Sequence, residues 1–415
     1  MLVVVVLLFY PFVSVVAIPC DGTDPFKLIV PLDYRKSEAP ATKKSPVPVY
    51  VGIQIFDIYD LNEETMDYNI HMYFDDVWKD YRLNSECLKE NRPVIFPEEM
   101  ADRLWTPDIY FENSKWGELF RISVPNINVK IYRDGTLYRS ARYVVRLSCP
   151  MNLRYYPMDV QVCSFKIGLF AHPNYLAELH WSEEKECPKN GMISIEMLSP
   201  TMLPQFDLIN VSTGKTNSIW STGNYTSLIA NFTFSRHLTS HIVNTYIPSS
   251  LVVALSWLSF WLRVGDVPAR VTLGVTSLLT LSTQIVQSRS NLPPVAYVNA
   301  LDVWLFVCVN MVFFTIVEYG FCYYLAENHF PSSEFFGRIQ MWLTKSCDNV
   351  APTAPLVNET KCTTSQQKTK QWQKGEAKTQ SLDRISRILF PITFLLFNIF
   401  YWPYYLSAHG RSSSG

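Results

Sequence analysis

Between residues 20 and 237 apolar and polar positions alternate in short runs, such as Asn69-Ile70-His71-Met72-Tyr73-Phe74 and Val129-Lys130-Ile131-Tyr132. Turn residues such as Arg133-Asp134-Gly135 separate them. A period of two, broken at regular intervals, predicts strands, and many short strands predict an immunoglobulin-like β-sandwich over residues 18–238. The pattern then changes. Three continuous apolar runs follow, at 242–262, 303–325 and 388–406. Each approaches the roughly twenty residues that a membrane-spanning helix requires. Pro248 and Pro391 lie inside two of them, which membrane helices tolerate. Between the first two runs, Val271 to Gln287 has the length of a helix but is rich in Thr and Ser. Thr272, Thr276, Leu279 and Thr283 are spaced four, three and four apart, and so share one helical face. A hydroxyl-bearing stripe between two spanning segments suits a helix that lines water while leaning on its neighbours; a soluble amphipathic helix is the alternative. The pattern thus predicts a β-sandwich followed by a four-helix transmembrane bundle, an α+β membrane protein.

The ends and connections fit that plan. Residues 1–17 are apolar and finish in small residues, as a signal peptide does. They lack a basic start, so a signal-anchor is the other possibility. Segment 239–325 holds the first three helices, and 388–406 the fourth. Residues 326–387 are polar, without an apolar period, and carry nine Lys and Arg. A basic connection beside spanning helices belongs on the cytoplasmic side. Four spans then leave both the large N-terminal domain and the tail 407–415 outside the cell.

Composition changes little in this picture. The chain has 415 residues, 48% hydrophobic, with a formal net charge of −1, so no strong charge bias points toward nucleic acid. There is no Gly-rich phosphate loop, nucleophile elbow or His-Glu-x-x-His, so no enzyme is predicted and no cofactor is implied. Asn210, Asn224 and Asn231 each open a glycosylation sequon, consistent with an extracellular face. Of nine cysteines, Cys308 and Cys322 fall in apolar runs and Cys347 and Cys362 in the polar connection, where free thiols are expected. The partners of Cys20, Cys87 and Cys187 stay open.

Two motifs carry a resemblance. Cys149 and Cys163 bracket thirteen residues that contain Tyr156-Pro157-Met158-Asp159. Pro268-Ala269-Arg270 precedes Val-Thr-Leu-Gly-Val-Thr-Ser-Leu-Leu-Thr. The first resembles the signature loop of the Cys-loop receptors, the pentameric ligand-gated ion channels. The second resembles the pore segment of their glycine-, GABA- and glutamate-gated chloride channels. The resemblance implies a Cys149–Cys163 disulfide and assembly, in the cell membrane, with four like or related subunits around a chloride pore lined by the second helix. A ring of Arg270 would place positive charge at the cytoplasmic end of the pore. Ala269 stands where cation channels of the family carry Glu. Leu279 would be the hydrophobic constriction. Thr272, Thr276 and Thr283 would offer hydroxyl donors to the anion, and Arg289 would gather anions at the outer mouth. For coupling, the loop with Tyr156 and Pro157 would rest on the linker containing Leu292 and Pro293, and Asp159 would pair with Arg236.

The same family binds agonists between subunits in a box of aromatics. Tyr73, Tyr110, Phe170, Trp220 and Tyr225 match the box positions, with Thr222 in the covering tip and Ser140 on a neighbouring strand. Such rings favour a cation. The departure is Asp75, where glycine-, GABA- and glutamate-gated members place an Arg for the agonist carboxylate; Lys130 replaces it only partly. An amino acid held in the usual way is therefore not expected. Two ligand classes stay open. One is an amine, with Asp75 or Glu112 as counter-charge. The other is zinc or a proton. His71 and Asp75 share a strand face and His172 could join them as borderline metal ligands, while histidine titrates near neutrality. In general pattern the chain resembles the insect branch gated by zinc or alkaline pH, so zinc is a candidate agonist or modulator.

Overall fold

The computed structural model describes residues 29–327, apart from 43–44, 86–87, 89–92, 97–100, 184–186, 189–191, 201–202 and 291, together with the backbone of 359–413 and the side chains of 380–407. The expected signal peptide, Cys20, Cys87 and Cys347 lie outside the described residues. The chain divides into two compact units: Met1–Met151 with Val162–Phe234, and Asn152–Gln161 with Ser235–Gly415.

The first unit is the predicted sandwich. One sheet runs in the order β10 (Ile195–Met197), β1 (Val47–Asn62), β2 (Asp67–Lys79), β7 (Thr136–Ser148), β6 (Ile127–Ile131), β3 (Val94–Phe96), with β9 (Ala177–Trp181) on β1 and β5 (Ser114–Leu119) on β7. The other runs β11 (Phe206–Trp220), β12 (Gly223–Arg236), β8 (Val160–Leu169), β4 (Ile109–Phe111). Alternation places Ile70, Met72 and Phe74 of β2 inside, with Phe165, Ile167, Phe232 and Phe234 of the facing sheet also buried. The Arg133-Asp134-Gly135 turn falls between β6 and β7, and Gly135 takes φ 80°, a backbone conformation that costs glycine no Cβ clash.

β1 carries a register shift between Ile55 and Asp57. A bulge of this kind re-aims a side chain. Here Phe56 comes onto the sheet face that carries His71 and Tyr73, with ring centroids at 5.1 and 4.8 Å.

The second unit contains four helices among the described residues: α1 (Thr239–Trp261), α2 (Val267–Arg289), α3 (Ala300–Glu327) and α4 (Glu359–Ser413). Three contain stretches long and apolar enough to cross a membrane, Thr239–Trp261, Ala300–Ala326 and Gln380–Ser407. α4 begins far upstream of the expected residue 388, because the polar Lys-rich stretch continues its helix. α1 changes pitch, with a π-helical turn at Ile242–Tyr246 just before Pro248; proline cannot supply the ordinary hydrogen bond there. At one end the helices are tied by polar contacts among aromatics. Trp304 Nε1 donates to Ser249 Oγ at 2.9 Å, Tyr401 donates to the Ala300 carbonyl at 2.9 Å, and the hydroxyls of Tyr246 and Tyr401 meet at 2.9 Å.

Candidate functional site

On the outer face of the larger sheet, antiparallel register sets Tyr73 opposite Arg142 and Asp75 opposite Ser140. Directly opposed side chains are the interacting unit of a sheet, so this face sorts into two clusters. In one, Asp75 is buried, and the Tyr138 hydroxyl shares hydrogen bonds with it and with Ser140. Burial, with Asp75 alongside, pushes the Tyr138 phenol upward. Lys130 reaches this same cluster, with Nζ 5.6 Å from the Tyr138 ring centre. Asp75 is therefore not an open counter-charge. Its neighbour Tyr138 shields it, because Val77, Tyr50 and Tyr138 pack together one step along the strands.

The second cluster surrounds Tyr73. The Arg142 guanidinium lies 4.1 Å from the Phe120 ring centre, 4.6 Å from Phe56 and 6.0 Å from Tyr73. Its Nε donates to His71 Nε2 at 2.7 Å. The His71 ring stacks on Phe120 at 5.3 Å and tilts against Phe56 at 5.1 Å. Accepting that bond requires neutral imidazole. Burial, followed by the Arg142 charge and opposed by Asp57, holds the His71 pKa below its usual value.

Arg142, Phe56 and Phe120 did not stand out in the sequence. The signal available was alternation: Arg142 lies two residues beyond Ser140 on the same face. Phe56 was hidden by its bulge.

The smaller sheet presents a different surface. Tyr110 pairs with Gly168 across β4 and β8. A Cβ at Gly168 would stand 2.7 Å from Glu112 Oε1 and 3.0 Å from Tyr110 Cε1, so the glycine makes room for both side chains. Tyr110 and Phe170 meet edge to face at 5.8 Å, and Phe170 is 76% exposed. Ser227 Oγ donates to Glu112 Oε1 in a short contact. Desolvation and then the Glu112 charge raise the Tyr110 pKa. At the β11–β12 turn Trp220 is 68% exposed, and Tyr225 donates to Thr222 Oγ1 at 3.1 Å.

The loop after Phe170 is pinned from two sides. Phe170 N donates to the Asp108 carbonyl at 3.2 Å, and Asn174 N donates to the Asn224 carbonyl at 2.8 Å. His172 Nδ1 sits 2.5 Å from Asp108 Oδ1, beneath Trp105.

The three expected metal ligands therefore have separate commitments. His71 bonds Arg142, Asp75 bonds Tyr138, and His172 bonds Asp108, so the expected His71–Asp75–His172 set is not assembled. Among the described residues a different trio, Glu318, Cys322 and Asp383, brings ligand atoms within 4.8 Å of one another. Arg270 occupies both oxygens of Asp383 there, which disfavours a cation. Of the sequons, Asn210 and Asn224 are exposed, whereas Asn231 is half-buried and accepts from Ser164 Oγ at 2.7 Å.

Cys149 and Cys163 are disulfide-bonded, with Cα atoms 5.0 Å apart. The loop tip Asn152–Gln161 belongs to the second unit. Asp159 is buried there against Arg236. Arg236 Nε donates to Oδ1 at 2.7 Å and Nη2 to Oδ2 at 3.1 Å, while Gln161 Nε2 donates to Oδ2 at 2.5 Å. Arg236 also lies 4.7 Å from the centre of the Tyr156 ring, which packs edge-on to His241 across the cis Tyr156–Pro157 step.

Leu292 and Pro293 lie half-buried earlier in the linker, and the loop forms hydrogen bonds with residues further on. Leu153 N donates to the Tyr297 hydroxyl at 2.9 Å. Ala300 N and Leu301 N donate to the carbonyls of Arg154 and Tyr156 at 3.1 and 3.2 Å. The first N–H groups of a helix lack intrahelical partners, and the loop supplies them for α3.

α2 has two opposed stripes. Arg270, Gly274, Ser277 and Leu281 are buried, and a Cβ on Gly274 would strike Ile316 Cγ1 at 2.6 Å. Thr272, Thr276, Leu279 and Thr283 are exposed together, with Pro268 and Ala269 exposed at the first turn. Arg270 is thus not on the hydroxyl-bearing stripe. It lies two positions before Thr272, a rotation of about 200° around a helix of 3.6 residues per turn. Two of the three expected hydroxyl donors are also committed. Thr276 donates to the Thr272 carbonyl at 2.7 Å and Thr283 to the Thr280 carbonyl at 2.8 Å, the usual back-bonding of Thr within a helix. Arg289 pairs with Asp302 at 3.1 Å, which reduces the positive charge expected beyond the far end.

Comparison with known proteins matches these two regions separately. Residues 27–238 match the neurotransmitter-gated ion-channel ligand binding domain, and residues 245–377 the neurotransmitter-gated ion-channel transmembrane region. A glutamate-gated chloride channel of Drosophila melanogaster is 29% identical over 398 residues, covering 87% of this chain and 85% of that protein. A glycine receptor subunit beta-type 4 of Caenorhabditis elegans is 29% identical over 429 residues, covering 92% and 88%. A sandwich that presents exposed aromatics, a disulfide-closed loop that caps a helix, and a bundle with one hydroxyl-striped member together account for both matches: the chain belongs to the neurotransmitter-gated ion-channel family, membrane-embedded ligand-gated channels with a large extracellular ligand-binding domain.

Proposed function

We propose that this chain is a subunit of a chloride channel opened by a small agonist with a cationic head, seated against Tyr110, Phe170, Trp220 and Tyr225. The observation that carries the anion reading is the exposed face of α2. It holds no carboxylate, and the helix has no acidic residue in its first turn. With Arg270 turned away, the positive element at that end is the helix N-terminus itself, offset in part by the exposed Asp266 at its N-cap. Unpaired N–H groups and the helix dipole give such an end about half a positive charge. Five helices around one axis would sum these into an anion-favouring ring. One of the relatives named above is a glutamate-gated chloride channel.

For the agonist, Glu112 is the carboxylate beside the aromatic surface, which suits an amine through ring quadrupoles and counter-charge. Arg142 is the cation beside Tyr73 on the other sheet. A zinc agonist finds less support, since His71, Asp75 and His172 each bond another group. A proton remains a second reading on one observation: the Arg142–His71 bond exists only while His71 is neutral.

The test is voltage clamp of oocytes expressing the full chain, alone and with a co-expressed relative, challenged with amines, amino acids, zinc and pH steps. A current that reverses with the chloride gradient is expected. A reversal potential that follows sodium or potassium refutes the selectivity, and opening by zinc alone refutes the amine.

A further inference from the structure

We propose that Asp383 of α4 is a positioning residue for the pore helix. It latches Arg270 behind the pore wall and thereby sets the rotation of α2 about its own axis. Arg270 Nη1 donates to Asp383 Oδ1 at 3.2 Å and Nη2 to Oδ2 at 2.9 Å, a two-pronged pair with side-chain exposures of 0% and 4%. Nη2 also donates to the Leu262 carbonyl just after α1 in a short contact, and the guanidinium lies 5.4 Å from the Tyr319 ring centre on α3.

Asp383 is itself held in place. Cys322 Sγ is 3.9 Å from its Oδ1, and Cys322 and Ser386 both reach Glu318 Oε1, at 3.4 and 3.1 Å. One turn further along α4, Arg387 donates twice to the Phe260 carbonyl of α1 at 2.9 and 3.1 Å and covers the Trp261 ring. The first turn of α2 is therefore gripped by residues of α1, α3 and α4.

The consequence is geometric. Arg270 and Leu279 are nine residues apart, which on a helix is about 180°. Any rotation that brings Arg270 toward water moves Leu279, 63% exposed on the conducting stripe, toward the wall. A guanidinium that has lost its buried carboxylate is driven to find water. Loss of Asp383 therefore favours a turned helix and a pore without its apolar constriction. This rests on the family's channel activity and on Leu279 as the constriction, but not on chloride selectivity.

The experiment measures agonist-free conductance per surface-labelled channel in oocytes for the full chain. Asp383→Asn is expected to raise it at least tenfold. Arg270→Gln/Asp383→Asn, which leaves no charge seeking water, is expected to fall back to within threefold of wild type, a rescue that a merely structural role would not produce. Equal agonist-free conductance in Asp383→Asn and wild type overturns the latch, as does a double variant as leaky as the single one. Should Asp383→Asn fail to reach the surface, Asp383→Glu and Arg270→Lys keep both charges and misalign the pair. Leak from either supports the latch, and silence from both at normal surface level overturns it. A leak that reverses with sodium leaves the latch standing and refutes the anion reading.

Discussion

Replacing Arg236 with Gln tests whether the loop tip depends on its buried charge pair. In the wild type both oxygens of Asp159 are engaged, by Arg236 at 2.7 and 3.1 Å and by Gln161 at 2.5 Å. Both side chains of the pair are almost wholly removed from solvent. The substitution leaves a buried carboxylate with one amide donor. Breaking a buried pair by removing one partner costs about 3–5 kcal/mol, and the lost Arg236–Tyr156 contact adds about 0.5–2 kcal/mol. At 1.4 kcal/mol per factor of ten, the pair term alone corresponds to a shift of roughly two to three and a half orders of magnitude in the equilibrium that docks the loop. The carbonyls of Arg154 and Tyr156 cap α3, so undocking also exposes the first N–H groups of that helix.

The assay pairs surface biotinylation with voltage clamp. Arg236→Gln and Asp159→Ala are expected to lower surface protein several-fold, or to reach the surface and respond to agonist with less than a tenth of the wild-type current. Arg236→Gln/Asp159→Asn removes both charges and is expected to recover part of the loss. Normal surface level and normal currents from either single variant would refute the reasoning. A double variant no better than the worse single would show that the fork geometry, and not the orphaned charge, sets the cost.

Three further outcomes follow. His71 has a pKa below its unfolded value, so its contribution is present above the unfolded pKa of about 6.5 and is lost as pH falls through the lowered folded value; thermal denaturation from pH 8 to pH 5 should show this loss, and His71→Gln should flatten that part of the profile. Gly168→Ala pushes a methyl group into Glu112 and Tyr110, and should raise the agonist concentration for half-maximal current about tenfold, or about 1.4 kcal/mol, at unchanged surface level. Thr276→Val removes a hydroxyl whose proton already serves the helix backbone; the chloride reversal potential should stay within a few millivolts of wild type, and a clear shift would show that the hydroxyl turns toward the ion.

Elements with strong local signals were legible along the chain. Period-two alternation marked β2 and β6, Gly135 marked a turn, and spacings of four and three marked the Thr272–Thr276–Leu279–Thr283 stripe. The same helical spacing also held the orientation of Arg270, since a residue two positions before Thr272 must lie near the opposite face. Its resemblance-based place in the pore ring ran against that geometry. The site on the larger sheet was less legible. Asp75 read as an open acid, but whether a strand carboxylate is open depends on what packs beside it, here Tyr138 from another strand. Phe56 reached the His71 cluster through a bulge, which shifts side-chain facing without leaving a mark in the alternation.

What the sequence determined by itself is what depends on neighbours along the chain: the change from period two to long apolar runs, the two stripes of α2, and the spacing that lets Cys149 and Cys163 close a loop. Tertiary structure decided the pairings. Arg142 with His71, Arg270 with Asp383 113 residues away, and the loop carbonyls with the first turn of α3 each join segments far apart in sequence. A buried charge or an unpaired N–H must be satisfied by something, but the chain order does not say by what. Only the packing brings the partners together, and in this protein those partners govern which side chains are left to meet a ligand or an ion.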